Sequence, residues 1–374
     1  MCGARRRAGR GWSTLSRRAG STWRMRRRRR GVRAVDSPRG SGRSGRTRGT
    51  CSHPTRRCAW AARPAASPTR PIPGPDAEVS MERWPGRGEA DAVARLGDEL
   101  VRIPVPSRTL PPATHTNVFL VRGTRGWFVV DPGGHRDEDN ALALAVLERI
   151  PREDGGGPGV RPRGLVLTHH HRDHIAGVAW WCARFPGLEL VVHPRGPALL
   201  PGSWSGLDLR WQLAREVEHE GVGLLDTPGH ASDHLSLLLP GGDLLCGDVV
   251  AGVGSILVNP PDGDMAAYLR TLARLESMDV RGLHPAHGPS PQEPGRLLAD
   301  YRAHRLGRER RVVEAVLGGG GLGLGEIVAH GWPEVPVLVR PLARRAALAH
   351  LEKLRSEGRV WRDGRGRWHG GSGS

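Results

Sequence analysis

The chain reads as an α/β protein: a two-sheet sandwich with helices outside, then a small winged-helix unit. Three observations predict this. Short apolar runs joined by tight turns alternate with amphipathic helices between residues 118 and 290. A Gly/Pro-rich loop precedes a buried strand near the middle of the chain. Beyond Pro294 the order becomes helix, helix, helix, hairpin, which is the order of a winged helix.

The elements follow in turn. Val118–Val121 and Trp127–Val130 flank Arg122-Gly-Thr-Arg-Gly126 and read as a hairpin that ends at Asp131-Pro-Gly-Gly134. Asn140–Ile150 has helical periodicity, closed by Pro151. After the loop Gly155–Pro162, Gly164–Leu167 is a buried strand, Asp173–Arg184 a helix and Leu188–Val192 a strand. Val222–Leu225, Leu235–Leu239 and Leu244–Cys246 are strands, the last two joined by the turn Pro240-Gly-Gly-Asp243. Asp264–Met278 is a helix and Val280–Leu283 a strand. Leu297–Leu317, Gly325–His330 and Leu342–Glu357 are helices, the last with an apolar stripe of Ala346, Leu348, Leu351 and Leu354. Arg359–Trp361, a turn at Asp363-Gly364 and Trp368 form the closing hairpin.

Charge divides the 374 residues unevenly. Before Met81 there are 21 arginines and three acidic residues, which accounts for the whole net charge of +18. From Met81 onward 35 basic residues meet 35 acidic ones, so the charge gives no licence for nucleic-acid binding by the body. Residues 1–80 are rich in Arg, Gly, Ser and Pro and cannot bury enough apolar surface to offset the entropy of ordering. They are expected to be a disordered extension. Their composition resembles a mitochondrial transit peptide or a nucleic-acid-binding arm. The favoured reading is an upstream extension, with Met81 as the true start, because 55 arginines against one lysine suggest a GC-rich genome. The expected division is 1–80 extension, 81–300 sandwich and 301–374 winged helix.

No apolar h-region marks a secretory signal, and no stretch is long enough to span a membrane. Only Cys182 and Cys246 of the five cysteines fall in the body, so no disulfide framework is implied and a cytoplasmic location is expected.

The chemistry is concentrated in Thr168–Gly177. His169, His171, Asp173 and His174 have the H-x-H-x-D-H spacing of a dinuclear metal site. Two residues apart at a strand end, His169 and His171 point to one side, and Asp173 and His174 follow at the turn into a helix. His230 after Gly229 completes the first trio, Asp248 after Gly247 bridges, and His287 before Gly288 completes the second. The expected cofactors are two divalent metal ions, Zn2+ in the first instance. His170 reads as solvent-facing or as a support for a ligand. Asp233 and His234 read as such supports or as substrate contacts, and Asp131 as a hydrogen-bond partner of a ligating histidine. His115, His193 and His284 read as structural.

These residues resemble the metallo-β-lactamase superfamily, whose five motifs are matched by Asp131, His169-x-His171-x-Asp173-His174, His230, Asp248 and His287. The resemblance covers about Leu100 to Arg302 and implies an αββα sandwich with a two-metal site at one edge of the sheets. One branch is more similar: β-lactamase-like proteins with a C-terminal winged helix, among them a mitochondrial endoribonuclease that cuts single-stranded RNA. The matching features are Thr116-Asn117, Thr227-Pro-Gly-His-x-x-Asp-His234, Gly252-x-Gly254, His284-Pro-Ala-His-Gly-Pro289 and His350-Leu-Glu-Lys-Leu-x-x-Glu-Gly358. Only 39 positions separate Asp248 from His287, too few for the insertion of the nucleases that process messenger-RNA ends. Ala251–Ile256 departs from the Gly-Cys-Gly-Arg-type segment of glyoxalase II, and His171 stands where flavodiiron proteins carry Glu.

The expected activity is hydrolysis by a metal-bridging hydroxide that attacks an acyl (thioester, ester or lactone) or phosphodiester substrate. Asp173 and His234 are the expected catalytic residues, the first to orient the nucleophile or carry its proton, the second to stabilise an oxyanion or protonate a leaving group. The partners are a small acyl substrate or single-stranded RNA, with a homodimer contact as a further expectation and no membrane. Two alternatives stand beside this: a single-stranded-RNA endoribonuclease, and a DNA-binding regulator acting through the winged helix. Arg340, Arg344, Arg345, Arg355, Arg359, Arg362, Arg365 and Arg367 would serve the latter, but a solvated face or dimer contact is the favoured reading of them.

Overall fold

The computed structural model describes residues 92–371, apart from the side chain of residue 205. The expected extension, 1–80, lies outside the described residues. The strands and helices run in the order β1 (Ala94–Arg95), β2 (Leu100–Pro106), β3 (His115–Gly123), β4 (Gly126–Val130), α1 (Asp137–Arg149), β5 (Gly164–Val166), α2 (Arg172–Ile175), α3 (Val178–Arg184), β6 (Leu188–Val192), α4 (Gly196–Leu199), β7 (Leu209–Leu213), β8 (Val217–His219), β9 (Val222–Asp226), β10 (Leu235–Leu238), β11 (Asp243–Gly247), α5 (Met265–Glu276) and β12 (Gly282–Pro285). Then come α6 (Pro294–Gly318), α7 (Leu324–Gly331), α8 (Arg340–Ser356), β13 (Val360–Arg362) and β14 (Trp368–Gly370).

Strands β1 to β7 form one sheet in sequence order, antiparallel as far as β4 and parallel from β4 to β7. The second sheet has the order β12-β11-β10-β9-β8, with β11 and β12 parallel. Period-two alternation explains the layering, because both faces of each inner strand are apolar. Phe119, Val121, Phe128, Val130, Val166 and Val191 point between the sheets, against Leu224, Leu237 and Leu245 of the second sheet. Their neighbours Val118, Leu120, Val129, Leu165 and Leu190 point outward and are covered by Leu144 and Leu147 of α1 and Trp181 of α3. On the other side Leu272 and Leu275 of α5 and Leu298 of α6 cover Leu244 and Leu283. The result is helix, sheet, sheet, helix, with each fully buried Val, Leu or Phe contributing about 1.5–3 kcal/mol.

The helix expected over Asp173–Arg184 is divided at Ala176-Gly177. Gly177 N–H donates to Pro132 O at 2.7 Å, and a Cβ there would stand 2.1 Å from Asn140 Oδ1, so the chain bends where α1 and the β4 loop press on it. Strands β1, β2, β7 and β8 were not expected. In β2 Arg102, Pro104 and Pro106 interrupt the apolar run, and β7 is mostly exposed, so neither shows clear alternation.

The C-terminal part has its own core. Val312 and Val316 of α6, Ile327 and Val328 of α7, Ala346, Leu351 and Leu354 of α8, and Val360 and Trp368 of the hairpin pack together. The stripe on α8 therefore buries against α6, as its periodicity requires. Helix α6 serves both parts: Leu298 and Tyr301 belong to the sandwich, Val312 and Val316 to the winged helix, and the division at 300/301 falls inside it.

Candidate metal centre

The site forms where the parallel strands of the first sheet end. Asp131 follows β4 with a left-handed backbone, φ 49, which a short carboxylate side chain tolerates. This turns the carboxylate toward β5. Its Oδ1 accepts Thr168 N–H and its Oδ2 accepts the Thr168 hydroxyl, both at 2.7 Å, while Leu235 N–H of the second sheet donates to Thr168 O at 2.7 Å. The residue before His169 is thus held from both sheets.

The loop after β9 brings in His230. Gly229 has φ 141, and a Cβ there would lie 2.3 Å from Tyr268 Cα, so only glycine allows this approach to α5. Asp248 follows β11 and His287 follows β12. The His287 loop is clamped by Asn117, whose side-chain amide donates to Pro285 O and Gly288 O, each at 2.9 Å.

All seven expected ligands come together. His171 Nδ1 lies 3.0 Å from His169 Nε2 and 2.9 Å from His230 Nε2. His287 Nε2 lies 3.5 Å from Asp173 Oδ2, and His174 Nε2 lies 4.0 Å from Asp173 Oδ1. Asp248 stands between the two trios. Its Oδ2 is 3.4 Å from His230 Nε2, and its Oδ1 is 3.4 Å from His287 Nε2 and 3.7 Å from His174 Nε2.

The outer nitrogens fix the tautomers. His230 Nδ1–H donates to Leu257 O and His287 Nδ1–H to His115 O, both at 2.8 Å. His174 Nδ1–H donates to Asp131 Oδ2 at 2.9 Å, the bond to a ligating histidine that the sequence suggests for Asp131. His169 Nδ1–H donates to Thr168 Oγ1 at 3.0 Å, because that hydroxyl has given its own proton to Asp131. Each of these four imidazoles therefore presents an Nε2 lone pair inward. His174 Nε2 and Asp248 Oδ1 are buried without a hydrogen-bond partner. Such orphaned atoms on a nitrogen- and carboxylate-rich donor set fit a divalent cation.

Electrostatics agree. Burial and the neighbouring imidazoles hold His169 well below the usual histidine range and bring His171 down to about 4, so both are neutral donors near neutral pH. Burial opposes charge on His174, but Asp131, Asp248 and Asp173 outweigh it and raise its pKa well above the usual value. The carboxylates that favour a proton there equally favour a metal cation. Burial alone would push Asp248 up, yet His287 and His174 hold it well below the usual carboxylate range.

His234 needs correction as a substrate contact. It is fully buried, its Nε2 accepts Asp248 N–H at 3.0 Å and its Nδ1 pairs with Thr227 Oγ1 at 2.8 Å, so neither nitrogen is free for a substrate. Asp173 does line the cavity above the site. His170 Nδ1 is 2.8 Å from Asp233 Oδ1 and its Nε2 3.8 Å from Asp262 Oδ2, with its ring 4.8 Å from that of His171, so it flanks the seven converging groups. Sequence reasoning missed Leu257 and His115, whose contributions are backbone carbonyls that leave no mark in the side-chain pattern. It also missed the support given by Thr168 and Thr227, although both adjoin the histidine motifs.

The cavity measures about 220 Å3. His171, Asp173, His230, Asp248 and His287 form its floor. Leu110, Pro111, Pro112, Ala113, Val253, Ile256 and Leu257 form the apolar part of its wall, with Arg108, Thr109, Ser255, Asn259 and Asp262 as polar members.

Comparison with known proteins agrees with this geometry. Residues 111–287 match the metallo-beta-lactamase superfamily and residues 324–368 the beta-lactamase associated winged helix domain. A beta-lactamase-like protein 2 homolog from Drosophila melanogaster is 26% identical over 72% of this chain and 92% of its own length. An atrochrysone carboxyl ACP thioesterase from Aspergillus chevalieri is 31% identical over 54% of this chain and 60% of its own. A hydroxyacylglutathione hydrolase from Aeromonas hydrophila is 33% identical over 46% of this chain and 61% of its own. The chain thus spans about three fifths of each of the latter two. Among solved structures, a metallo-beta-lactamase family protein from Thermus thermophilus shares the fold with a TM-score of 0.59 at 23% identity, over 74% of this chain and all of that one. A beta-lactamase domain protein from Burkholderia ambifaria does so with a TM-score of 0.60 at 21% identity, over 76% of this chain and 95% of that one. Donor set, fold and relatives converge on a metal-dependent hydrolase built on a metallo-β-lactamase superfamily domain, residues 111–287, followed by a β-lactamase-associated winged helix domain, residues 324–368.

Proposed function

We propose that the site takes two divalent ions, zinc by the character of its donors, and hydrolyses a small acyl substrate, a thioester or ester. One observation carries this reading. Two trios of donors face inward, with Asp248 turning one oxygen to each. His169, His171 and His230 would hold one ion, Asp173, His174 and His287 the other, and Asp248 would reach both. Ions bound there would supply an acidified water as nucleophile and offset charge developing on the substrate oxygen. Asp173 lines the cavity, where its carboxylate would orient an attacking water and take up its proton. Asp131, Thr168, Leu257 and His115 hold the imidazoles in place.

The cavity favours an acyl substrate over RNA. The wall pairs an apolar side with Thr109, Ser255, Asn259 and Asp262, and Arg108 is its one Arg or Lys among the described residues. A single-stranded nucleic acid needs a cationic track and aromatic rings for stacking, and the described residues lining the cavity include no Phe, Tyr or Trp. The arginines of the winged helix lend little to a DNA-binding reading. Arg345 bonds Asn259, Arg355 pairs with Glu352, Arg359 with Glu357, and Arg367 with Glu326. Two of the relatives bear thioesterase and hydroxyacylglutathione hydrolase names, which agrees with thioester chemistry.

No described helix is long and apolar enough to cross a membrane. Cys182 and Cys246 are free thiols, which suits a reducing cytoplasm, the location we assign. The deciding experiment loads the full chain with zinc, counts the ions, and assays S-lactoylglutathione, acyl-CoA thioesters, lactones, nitrocefin and single-stranded RNA side by side. Two ions per chain and turnover of a thioester or ester are expected. RNA cleavage without acyl hydrolysis would overturn the substrate reading.

A further inference from the structure

We propose that Arg305, on α6, positions His230 for metal binding by holding residues 255–257. This rests on the reading of His230 as a metal ligand.

Arg305 is 4% exposed. Its Nη2 donates to Ser255 Oγ at 3.0 Å and to Ile256 O, and its guanidinium lies over the Tyr268 ring, 5.5 Å from the centroid. The next carbonyl in the chain, Leu257 O, accepts the Nδ1–H of His230 at 2.8 Å. One turn earlier on α6, the Tyr301 hydroxyl accepts Ala251 N–H at 3.0 Å and lies 3.3 Å from Gly254 O. Residues 251–257 are thus held at both ends by one face of one helix. They run on from Asp248 and form a wall of the cavity. From α8, Arg345 Nη1 donates to Asn259 Oδ1 at 3.0 Å, just beyond.

Burying a guanidinium is costly unless its surroundings repay the lost hydration. Among the described residues no carboxylate forms an ion pair with Arg305. Its Nη2 donates instead to a side chain and a carbonyl of the segment that orients His230, while its buried Nε has no hydrogen-bond partner among the described residues, and packing alone does not require a charge there. Because Leu257 O accepts from Nδ1, it decides which nitrogen of His230 carries the proton and which way the ring faces. A shift of residues 255–257 then moves Nε2 relative to His169 and His171. Groups in this relation to a ligand commonly change metal affinity by about 10–100-fold when removed.

The test titrates the full chain, cleared of metal, with cobalt(II), reading the visible absorption band and the affinity against a competing chelator. Wild type should take two ions. Arg305→Gln should keep one and weaken the other about 10-fold or more, with a changed band. Arg305→Lys, which can reach one acceptor, should recover part of the loss. Tyr301→Phe should shift the same affinity in the same direction, less strongly, and it decides the question if Arg305→Gln fails to fold. If the soluble variants bind both ions with wild-type affinity and spectrum while only the thermal midpoint falls, Arg305 is merely structural and the proposal is overturned. His230→Ala separates the two levels. Loss of one ion in it, with affinity and band unchanged in both Arg305→Gln and Tyr301→Phe, sinks the positioning role alone. Retention of both ions with an unchanged band sinks the ligand reading and the proposal with it.

Discussion

The backbone N–H of Asp248 donates to His234 Nε2 at 3.0 Å, so the carboxylate between the two donor trios is aimed by a histidine that belongs to neither, its ring 5.1 Å from that of His169. His234 is held in turn by Thr227 Oγ1 at 2.8 Å, which also meets Ser236 Oγ at 2.9 Å. Gly247 makes the contact fit. Its φ is 52, and a Cβ there would stand 2.6 Å from His234 Nε2. Burial and the nearby His230 hold the His234 imidazole well below its usual pKa, which keeps Nε2 free to accept.

Replacing His234 should therefore act through metal binding. His234→Ala should lower metal affinity about 10–100-fold and leave KM nearly unchanged once excess metal restores loading. Gly247→Ala should do the same by displacing the ring, with an added backbone cost of about 1 kcal/mol or more. A His234→Ala protein that binds metal normally but has lost kcat would return His234 to a role in the chemistry.

The seven converging side chains were legible in the sequence because four lie within six residues and the others adjoin glycines at loop tips. Asp131 was legible for a similar reason, at the end of a readable strand. What holds these groups in place was not. Leu257 and His115 act through carbonyls, and the aim of His234 depends on a turn that its spacing from His230 does not reveal. Arg305 looked like one more arginine in an arginine-rich chain, since only packing shows that α6 runs beneath residues 251–257. In the fold, the strands with two apolar faces stood out, while exposed β7 and proline-interrupted β2 lacked that signal.

Asp248→Ala should remove the one group shared by both trios. Bound metal should fall from about two ions per chain to about one or fewer, and hydrolysis should be lost. Elemental analysis after dialysis against excess zinc reads the outcome. A variant that still holds two ions would show that the trios do not depend on a bridge.

The two described cysteines should resist labelling. Burial, and to a lesser degree Asp208, pushes the Cys182 thiol up to about 11, and burial takes Cys246 up to about 12. Neither then has appreciable thiolate near neutral pH. Peptide mapping after iodoacetamide treatment of the native chain should find both unmodified, and both modified in denaturant. Labelling of Cys246 under native conditions would mean that β11 opens readily.

Glu309 should be the acid-sensitive link of the C-terminal part. Its Oε1 lies 2.8 Å from Lys353 Nζ and its Oε2 3.3 Å from His350 Nδ1, with Arg359 Nη1 at 3.7 Å. Burial pushes the carboxyl up, but His350 and Lys353 bring it below its usual value. A folded-state pKa below the unfolded one means that the contribution is complete above about pH 4.3 and fades as pH falls through the folded value. Glu309→Ala leaves Lys353 and Arg359 without this partner and should cost about 3 kcal/mol near neutral pH. In urea titrations the gap to wild type should narrow below about pH 4. Pairing Glu309→Met with Lys353→Met should recover much of the loss, because two apolar side chains leave no buried charge unpaired. A Glu309→Ala cost that is equal at pH 7 and in acid would mean that packing, and not the carboxylate, joins α6 to α8.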